Sequence, residues 1–586
     1  MFYDNLVIGL YFVLILAIGI VFSRMASKST SDYFRGGGRM LWWMVGSTAF
    51  MAQFSAVTFT GAAGKAYNDG FAITAVYIGN CFAFFCAWKF FSYRFRQMRV
   101  DTPSQAIKRR FGSENELFFS WALIMLSFLN AGVWLNALGV FSSAVFESDI
   151  VITTIAIGLT VLFVSVLSGA WGVVASDFVQ SLIVVLVSVA CAVVALVKVG
   201  GPIKMINDFP GDFLMGPDMN YPILLIGTFI LFLPKMIISM MNLNESFRFL
   251  NAKDSINARK ASLMAMALTA MGIVLWFIPP WASASLYPDA TAGYAELGSK
   301  AADAIYLEFA RRAMPVGTVG LMMASLFAAS MSSMDSALNK NAGIFVRSIY
   351  QPFLAKRNKQ TDDKKLMTVS KLVSFVSGSI VIVTALYFSS LKELSIFELM
   401  ISVSTMVQMP MMVPLMLGLV VKKTPSWAPW ATIVVGLFVS WFIMNVFTAE
   451  VCGGLFGIES LTKREIADLN IILTIASHIF ITSGFFWATS LFYKESKDKY
   501  KIETEHFFQD LETPVVASED SEVDRQQRNK LGAIVMVMSA GIFLMALIPN
   551  PIWGRAIFIV CALLIFIFGF MLKRSAKNEI SPSNPT

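Results

Sequence analysis

The feature that most constrains this chain is a succession of apolar stretches, most of them about 18 to 25 residues long, divided by short polar connections. A helix of that length crosses the ~30 Å hydrocarbon core of a bilayer, where only helices and closed barrels satisfy every backbone hydrogen bond. The stretches lie near residues 5–22, 42–64, 71–92, 117–146, 150–169, 174–199, 221–246, 265–283, 313–346, 366–388, 396–420, 427–447, 469–492, 531–549 and 553–572, which predicts about fifteen spans. Of the 586 residues, 56% are hydrophobic and 14% charged, against roughly 45–50% and 25% in a soluble domain. The expectation is an all-α integral membrane protein. The first stretch begins almost at Met1, with no basic leader and no small-residue cleavage site after Ile20, so it reads as a retained helix.

The net charge of +8 would suggest nucleic acid in a soluble chain, but here the basic residues gather in every second connection. These are 24–39, 94–110, 248–260, 347–365, 422–423, 494–530 and 573–577. By the positive-inside rule they face the cytoplasm, which places the N-terminus outside a plasma (inner) membrane and the C-terminus inside. Residues 494–530 read as a cytoplasmic linker, 531–573 as two further helices and 574–586 as a cytoplasmic tail. The external segment 287–312 is compatible with an amphipathic helix around 292–309 or with a plain loop. Five cysteines without CxxC spacing and two histidines, His478 and His506, offer neither a zinc site nor a Cys–His nucleophile pair, so no enzyme is expected.

The chemistry concentrates in GLMMASLFAASMSSMDSALNKN, residues 320–341. Ala329, Ser332, Ser333 and Ser336 follow i, i+3, i+4, i+7 spacing and share a helix face, with Asp335 and Asn339 on the adjoining edge. Serines in a membrane helix often bond their own turn, but an aspartate costs about 2.5–3.5 kcal/mol near the bilayer centre and needs a cation, a proton or a polar cavity. A second acid, Asp177, sits a few residues inside its own helix; it is either another cation ligand or a solvated interfacial group. In GSTAFMAQFSAVTFTGAAG, residues 46–64, small residues and hydroxyls favour a helix broken near its middle, with carbonyls of Met51 to Phe54 freed for sodium and with Ser55 and Thr58 facing a solute; close helix packing is the alternative. Pro234 and Lys235 mark another break, and Lys235 has three possible roles: partner of a solute carboxylate, partner of an internal acid, or a snorkelling cation. Gln408, Pro410 and Pro414 mark a third interruption.

Four motifs occur in order: DYFRGGGRMLWW (32–43), GAAGKAYNDG (61–70), RFLNAKD (248–254) and AASMSSMDSALN (328–339). Together they resemble the sodium/solute symporter family, which includes sodium/glucose, sodium/proline, sodium/sialic acid, iodide and monocarboxylate transporters, over roughly residues 1–495. The resemblance implies the leucine-transporter (LeuT-like) fold, with inverted five-helix repeats at 42–199 and 221–420. Peripheral segments are then 1–41, 427–493 and the two last helices. It implies a Na+ site on the carbonyls of Met51, Phe54 and Ala329 and the hydroxyls of Ser332 and Ser333, and a possible second cation site at Asp177, Asp335 and Ser336. It also implies solute contacts from Ser55, Thr58, Tyr77, Asn80, Asn130 and Asn242. The acid that sugar transporters use at the Tyr77 position is missing here, and so is the arginine that sialate transporters use near Asn130.

The expected activity is sodium-coupled import of a small polar solute (sugar, amino acid or organic acid) by alternating access, with one or two Na+, by a monomer in membrane lipid and without nucleic acid. The competing reading is a transporter-like sensor or scaffold without net transport.

Overall fold

The computed structural model describes residues 2–26, 36–359, 362–391, 393–455, 457–458, 461–493, 499–516 and 521–578. The start of the first motif (32–35), parts of the 494–530 segment and the end of the tail (579–586) lie outside the described residues. Helix dominates; the one β-type pairing among the described residues is an isolated bridge between Met40 and Ala252.

The main helices are α1 (Phe2–Ala26), α2 (Trp42–Met51), α3 (Gly61–Asp69), α4 (Thr74–Cys86), α5 (Pro103–Phe111), α6 (Ser113–Phe146), α7 (Ile150–Val199), α8 (Pro222–Met240) and α9 (Ser255–Leu286). They continue as α10 (Thr318–Ile344), α11 (Asp363–Ser390), α12 (Ile396–Leu417), α13 (Ala428–Asn445), α14 (Lys463–Phe492), α15 (Lys499–Glu512), α16 (Ser521–Leu544) and α17 (Ile552–Asn578). Eleven helical stretches among the described residues are long and apolar enough to cross a membrane, and Phe2–Ile18 and Ile150–Phe163 are shorter apolar helices. The expected number, about fifteen, is not reached by length and composition alone. The 42–64 segment is divided between α2 and the stretch from Ala56, and α10 carries Asp335, Asn339 and Lys340.

Two expected spans, 150–169 and 174–199, form one 50-residue helix, α7. Its Ser165 hydroxyl bonds the Asp335 carboxylate, while Asp177 faces Ser332.

Helix α2 stops at Met51, and Ser55 starts a short turn, Ala56–Phe59, by accepting the Val57 N–H at 3.3 Å. At Gly61, the first residue of α3, a Cβ atom would lie 2.5 Å from the Phe397 nitrogen, so glycine is what lets α3 meet α12. The second break differs from expectation. Helix α8 runs through Pro234 and ends at Met240, because Asn242 caps it: its amide donates to Ile238 O and Ser239 O, both at 2.9 Å, and its carbonyl accepts from the backbone of Asn244 and Glu245. In α12 the interruption is a π-turn, Val403–Gln408, after which the helix continues through Pro410 and Pro414.

Contacts also link segments on the face opposite the basic connections. Trp281 Nε1 donates to Gly70 O at 3.0 Å, Phe71 N to Phe213 O at 2.9 Å, and Lys65 pairs with Asp69 at 2.5 Å. The 287–312 segment combines both expectations: 3-10 turns over Ala292–Ala304, then an α-helix over Ile305–Ala313. There Asp303, 1% exposed, accepts the Ile396 N–H at 3.2 Å. Burial pushes its carboxyl up to about 7 against the lowering influence of that N–H and of Lys300, with Glu398 adding a raising influence. The folded protein therefore holds a proton that the unfolded chain loses above about pH 4, and this group's contribution to stability falls from about pH 4 to 7. Asp303→Asn keeps the acceptor and removes the titration. Thermal melts from pH 4 to 8 should show the variant gaining on wild type across this window and holding its advantage above it.

On the basic face, residues 499–512 of the expected linker form helix α15, which buries Phe507, Phe508 and Leu511. Asp510 pairs with Arg99 at 3.0 Å and Arg109 at 2.6 Å, the Val515 N–H reaches Ser255 Oγ at 3.0 Å, and Asp524 pairs with Lys253 at 2.6 Å. Arg110, fully buried, donates to Gly418 O at 2.7 Å, Val421 O at 2.6 Å, Thr424 Oγ1 at 2.8 Å and Tyr500 OH at 3.3 Å.

Candidate functional site

The break after α2 lies against α10: the Ala56 N–H donates to Ser330 Oγ at 3.3 Å. Met51, Phe54 and Ala329 are fully buried, and Ser332 and Ser333 are 1% and 3% exposed. Neither of these two serine hydroxyls has a hydrogen-bond partner among the described residues, although serines in helices ordinarily bond their own preceding turn. The same holds for the Thr48 hydroxyl and both carboxylate oxygens of Asp177. Asp177 is fully buried and faces the hydroxyls of Ser332 and Thr48. One carboxylate and three hydroxyls in one buried region, beside the carbonyls of a broken helix, form an oxygen-rich donor set of the kind hard cations take.

Within the expected second cation group, Asp177 and Asp335 lie close enough for their charges to interact, each with its own partners. Asp177 meets Ser332, whereas Asp335 is engaged by Ser165, and Ser336 lines the neighbouring cavity. Thr48 was not among the sequence candidates; its signal was its position three residues before Met51, on the same side of α2.

A cavity of about 160 Å³ adjoins this region and extends to Glu245, Arg248 and Lys340 on the basic face. Ser55, Thr58, Tyr77, Asn80, Asn130 and Lys235 all line it, as do Ser333 and Ser336. Tyr77 donates to Thr58 Oγ1 at 3.1 Å, and Asn80 keeps its buried amide oxygen without a partner among the described residues. Asn242 stands apart, its whole amide used in capping α8. Sequence reading passed over Ser404, which accepts from Lys235 Nζ at 2.8 Å, and the cluster in which Glu245 holds Arg248 and, at 3.5 Å, Lys340. Glu245 and Arg248 lie three residues apart in the sequence, whereas only the fold brings Ser404 to Lys235 and Lys340 to Glu245.

A model of the sodium:solute symporter family matches residues 33–436. The sodium/sialic acid symporter NanT of Aliivibrio fischeri is 26% identical over 426 residues, 70% of this chain and 81% of that protein. The sodium/glucose cotransporter of Vibrio parahaemolyticus is 27% identical over 454 residues, 72% of this chain and 82% of that one. The solved structure of a Na+-coupled sialic acid symporter, in a substrate-bound outward-open state, superposes with a TM-score of 0.62 at 20% identity, covering 85% of this chain and 99% of that chain. With the family match spanning more than half its length, this chain belongs to the sodium:solute symporter family.

Proposed function

We propose that the protein is a sodium-coupled symporter that carries a small polar organic solute across the membrane by alternating access. The carrying observation is the set of buried oxygens on Asp177, Ser332, Ser333 and Thr48 that lack a hydrogen-bond partner among the described residues, placed beside the break in α2 and next to a polar cavity. Na+ as co-transported cargo supplies the positive charge those oxygens need. Met51, Phe54 and Ala329 carbonyls with Ser332 and Ser333 make the first site; Asp177 with Ser332 and Thr48 makes the second. Asp335 and Ser336 flank it. Because Ser333 and Ser336 border both regions, bound sodium shapes the solute cavity and binding becomes mutual.

The family fold supports a LeuT-like core with repeats at 42–199 and 221–420. Adding α1, the first part of α7, the divided α2–α3 segment and α10 to the eleven long apolar stretches gives fifteen spans, with the N-terminus outside and the C-terminus in the cytoplasm of the inner membrane. On that orientation the face opposite the basic connections is external and the cavity reaches toward the cytoplasm, an inward-facing arrangement. A functional monomer accounts for every group of the site. Each charge moved contributes ~2.3 kcal/mol per 100 mV, so two Na+ per cycle concentrate solute further than one. Reconstituted proteoliposomes should accumulate solute under an inward sodium gradient; equal accumulation with choline in place of sodium would refute the proposal.

A further inference from the structure

Lys235 is a buried cation that meets no anion among the described residues. Its side chain is 3% exposed, and its ammonium contacts Ser404 Oγ at 2.8 Å, the Met236 sulfur at 3.5 Å and the Phe232 ring at 5.5 Å. Among the described residues no carboxylate pairs with it or acts on its charge. Of the roles its sequence allowed, snorkelling is removed by burial. Pairing with an internal acid is removed by where the acids are: Glu245 is taken by Arg248 and Lys340, Asp335 by Ser165, and Asp177 faces Ser332 and Thr48. A hydroxyl and a thioether do not replace the water an ammonium loses on burial.

The surroundings also carry groups able to donate. The π-turn Val403–Gln408 brings both Ser404 and Gln408 to the cavity wall, and Asn80 lines the same cavity. Such turns recur at functional sites because the extra residue re-aims side chains. The ionisable groups lining the cavity are Lys235, Arg248 and Lys340 against Glu245 alone, an excess of positive charge before any ligand binds.

We propose that the solute is an organic anion whose carboxylate docks on the Lys235 ammonium between Ser404, Gln408 and Asn80. This rests on the symport reading and gives it a substrate class. Neutral sugars and polyols leave the lysine unmatched; a carboxylate neutralises it. The remainder of the solute then lies against Trp134, Met400 and Tyr77 on the same cavity wall.

The test uses the purified full-length protein, in sodium chloride or choline chloride, with matched probes: pyruvate, lactate, gluconate and N-acetylneuraminate as carboxylates, and lactamide, glucose and myo-inositol as uncharged counterparts. At least one carboxylate should raise the melting temperature, more in sodium than in choline, while its uncharged counterpart does not. Lys235→Met should weaken that ligand by about thirtyfold or more while keeping the stabilisation by sodium alone, which shows the variant is folded. A neutral probe that stabilises as well as any carboxylate, an absence of response to every carboxylate, or Lys235→Met with unchanged carboxylate affinity would each overturn the proposal. A carboxylate response indifferent to sodium would uphold the anion site and instead overturn the coupling reading.

Discussion

Ser332→Ala should raise the sodium concentration needed for half-maximal uptake by about tenfold or more. The Ser332 hydroxyl belongs to both proposed cation sites, since it faces Asp177 together with Thr48, one turn before the α2 break. An oxygen contact to a charged group is worth about 1.5–3 kcal/mol, and tenfold corresponds to about 1.4 kcal/mol. Because this hydroxyl has no hydrogen-bond partner among the described residues, its removal should leave sodium-free stability within about 0.5 kcal/mol of wild type. Asp177→Asn should behave in the opposite way: more stable than wild type without sodium, where a buried carboxylate lacks a partner, yet less stabilised by the ion and with fewer sodium ions moved per solute. Sodium titrations of melting temperature and uptake check both. Unchanged sodium affinity in Ser332→Ala together with unchanged stoichiometry in Asp177→Asn would remove the cation assignment.

Arg110→Ala should destabilise the fold by about 3 kcal/mol or more, an effect set by what the guanidinium leaves behind. Its donors hold Gly418 O, Val421 O and Thr424 in the connection after α12, and Tyr500 in α15, all from a fully buried position in α5. Truncation leaves the two backbone carbonyls without these donors. Arg110→Lys should recover only part of the loss, because one ammonium cannot reproduce the planar fork. Thermal unfolding and the yield of monodisperse protein measure it, and a melting temperature unchanged in Arg110→Ala would contradict the account.

The parts of the site that were legible in the sequence are those written within one helix. The α10 stripe followed from spacing, and the break in α2 followed from small and hydroxyl residues where lipid-facing helices carry Leu and Ile. Pro234 misled because a proline in a membrane helix can be absorbed when neighbouring groups satisfy the freed carbonyl; the chain breaks instead at the residue that supplies a cap, Asn242. That same asparagine reads from sequence as a solute contact, since an amide that binds ligand and one that caps a helix have identical chemistry. The pairings of Ser165 with Asp335 and of Asp510 with Arg99 join residues 170 and 411 positions apart, and no local pattern announces them. The span count was harder to recover by hydropathy for a related reason. Helix α2 is apolar but only ten residues long, because the break that frees its carbonyls cuts it short, and in α10 the serines and Asp335 displace lipid-like residues.

Asp510 holds the chain just before α6 through Arg99 and Arg109, while Val515 and Asp524 hold the start of α9 through Ser255 and Lys253. Together these contacts make a tether between the ends of helices that alternating access must displace. Any widening of a doorway on the basic face therefore has to stretch this tether or drag it along. The Asp510 pairs are about one-third exposed, within reach of screening by salt, whereas the Arg110 anchor is sealed away from it. Ionic strength on that side of the membrane thus loosens the tether at one end while leaving its mooring intact.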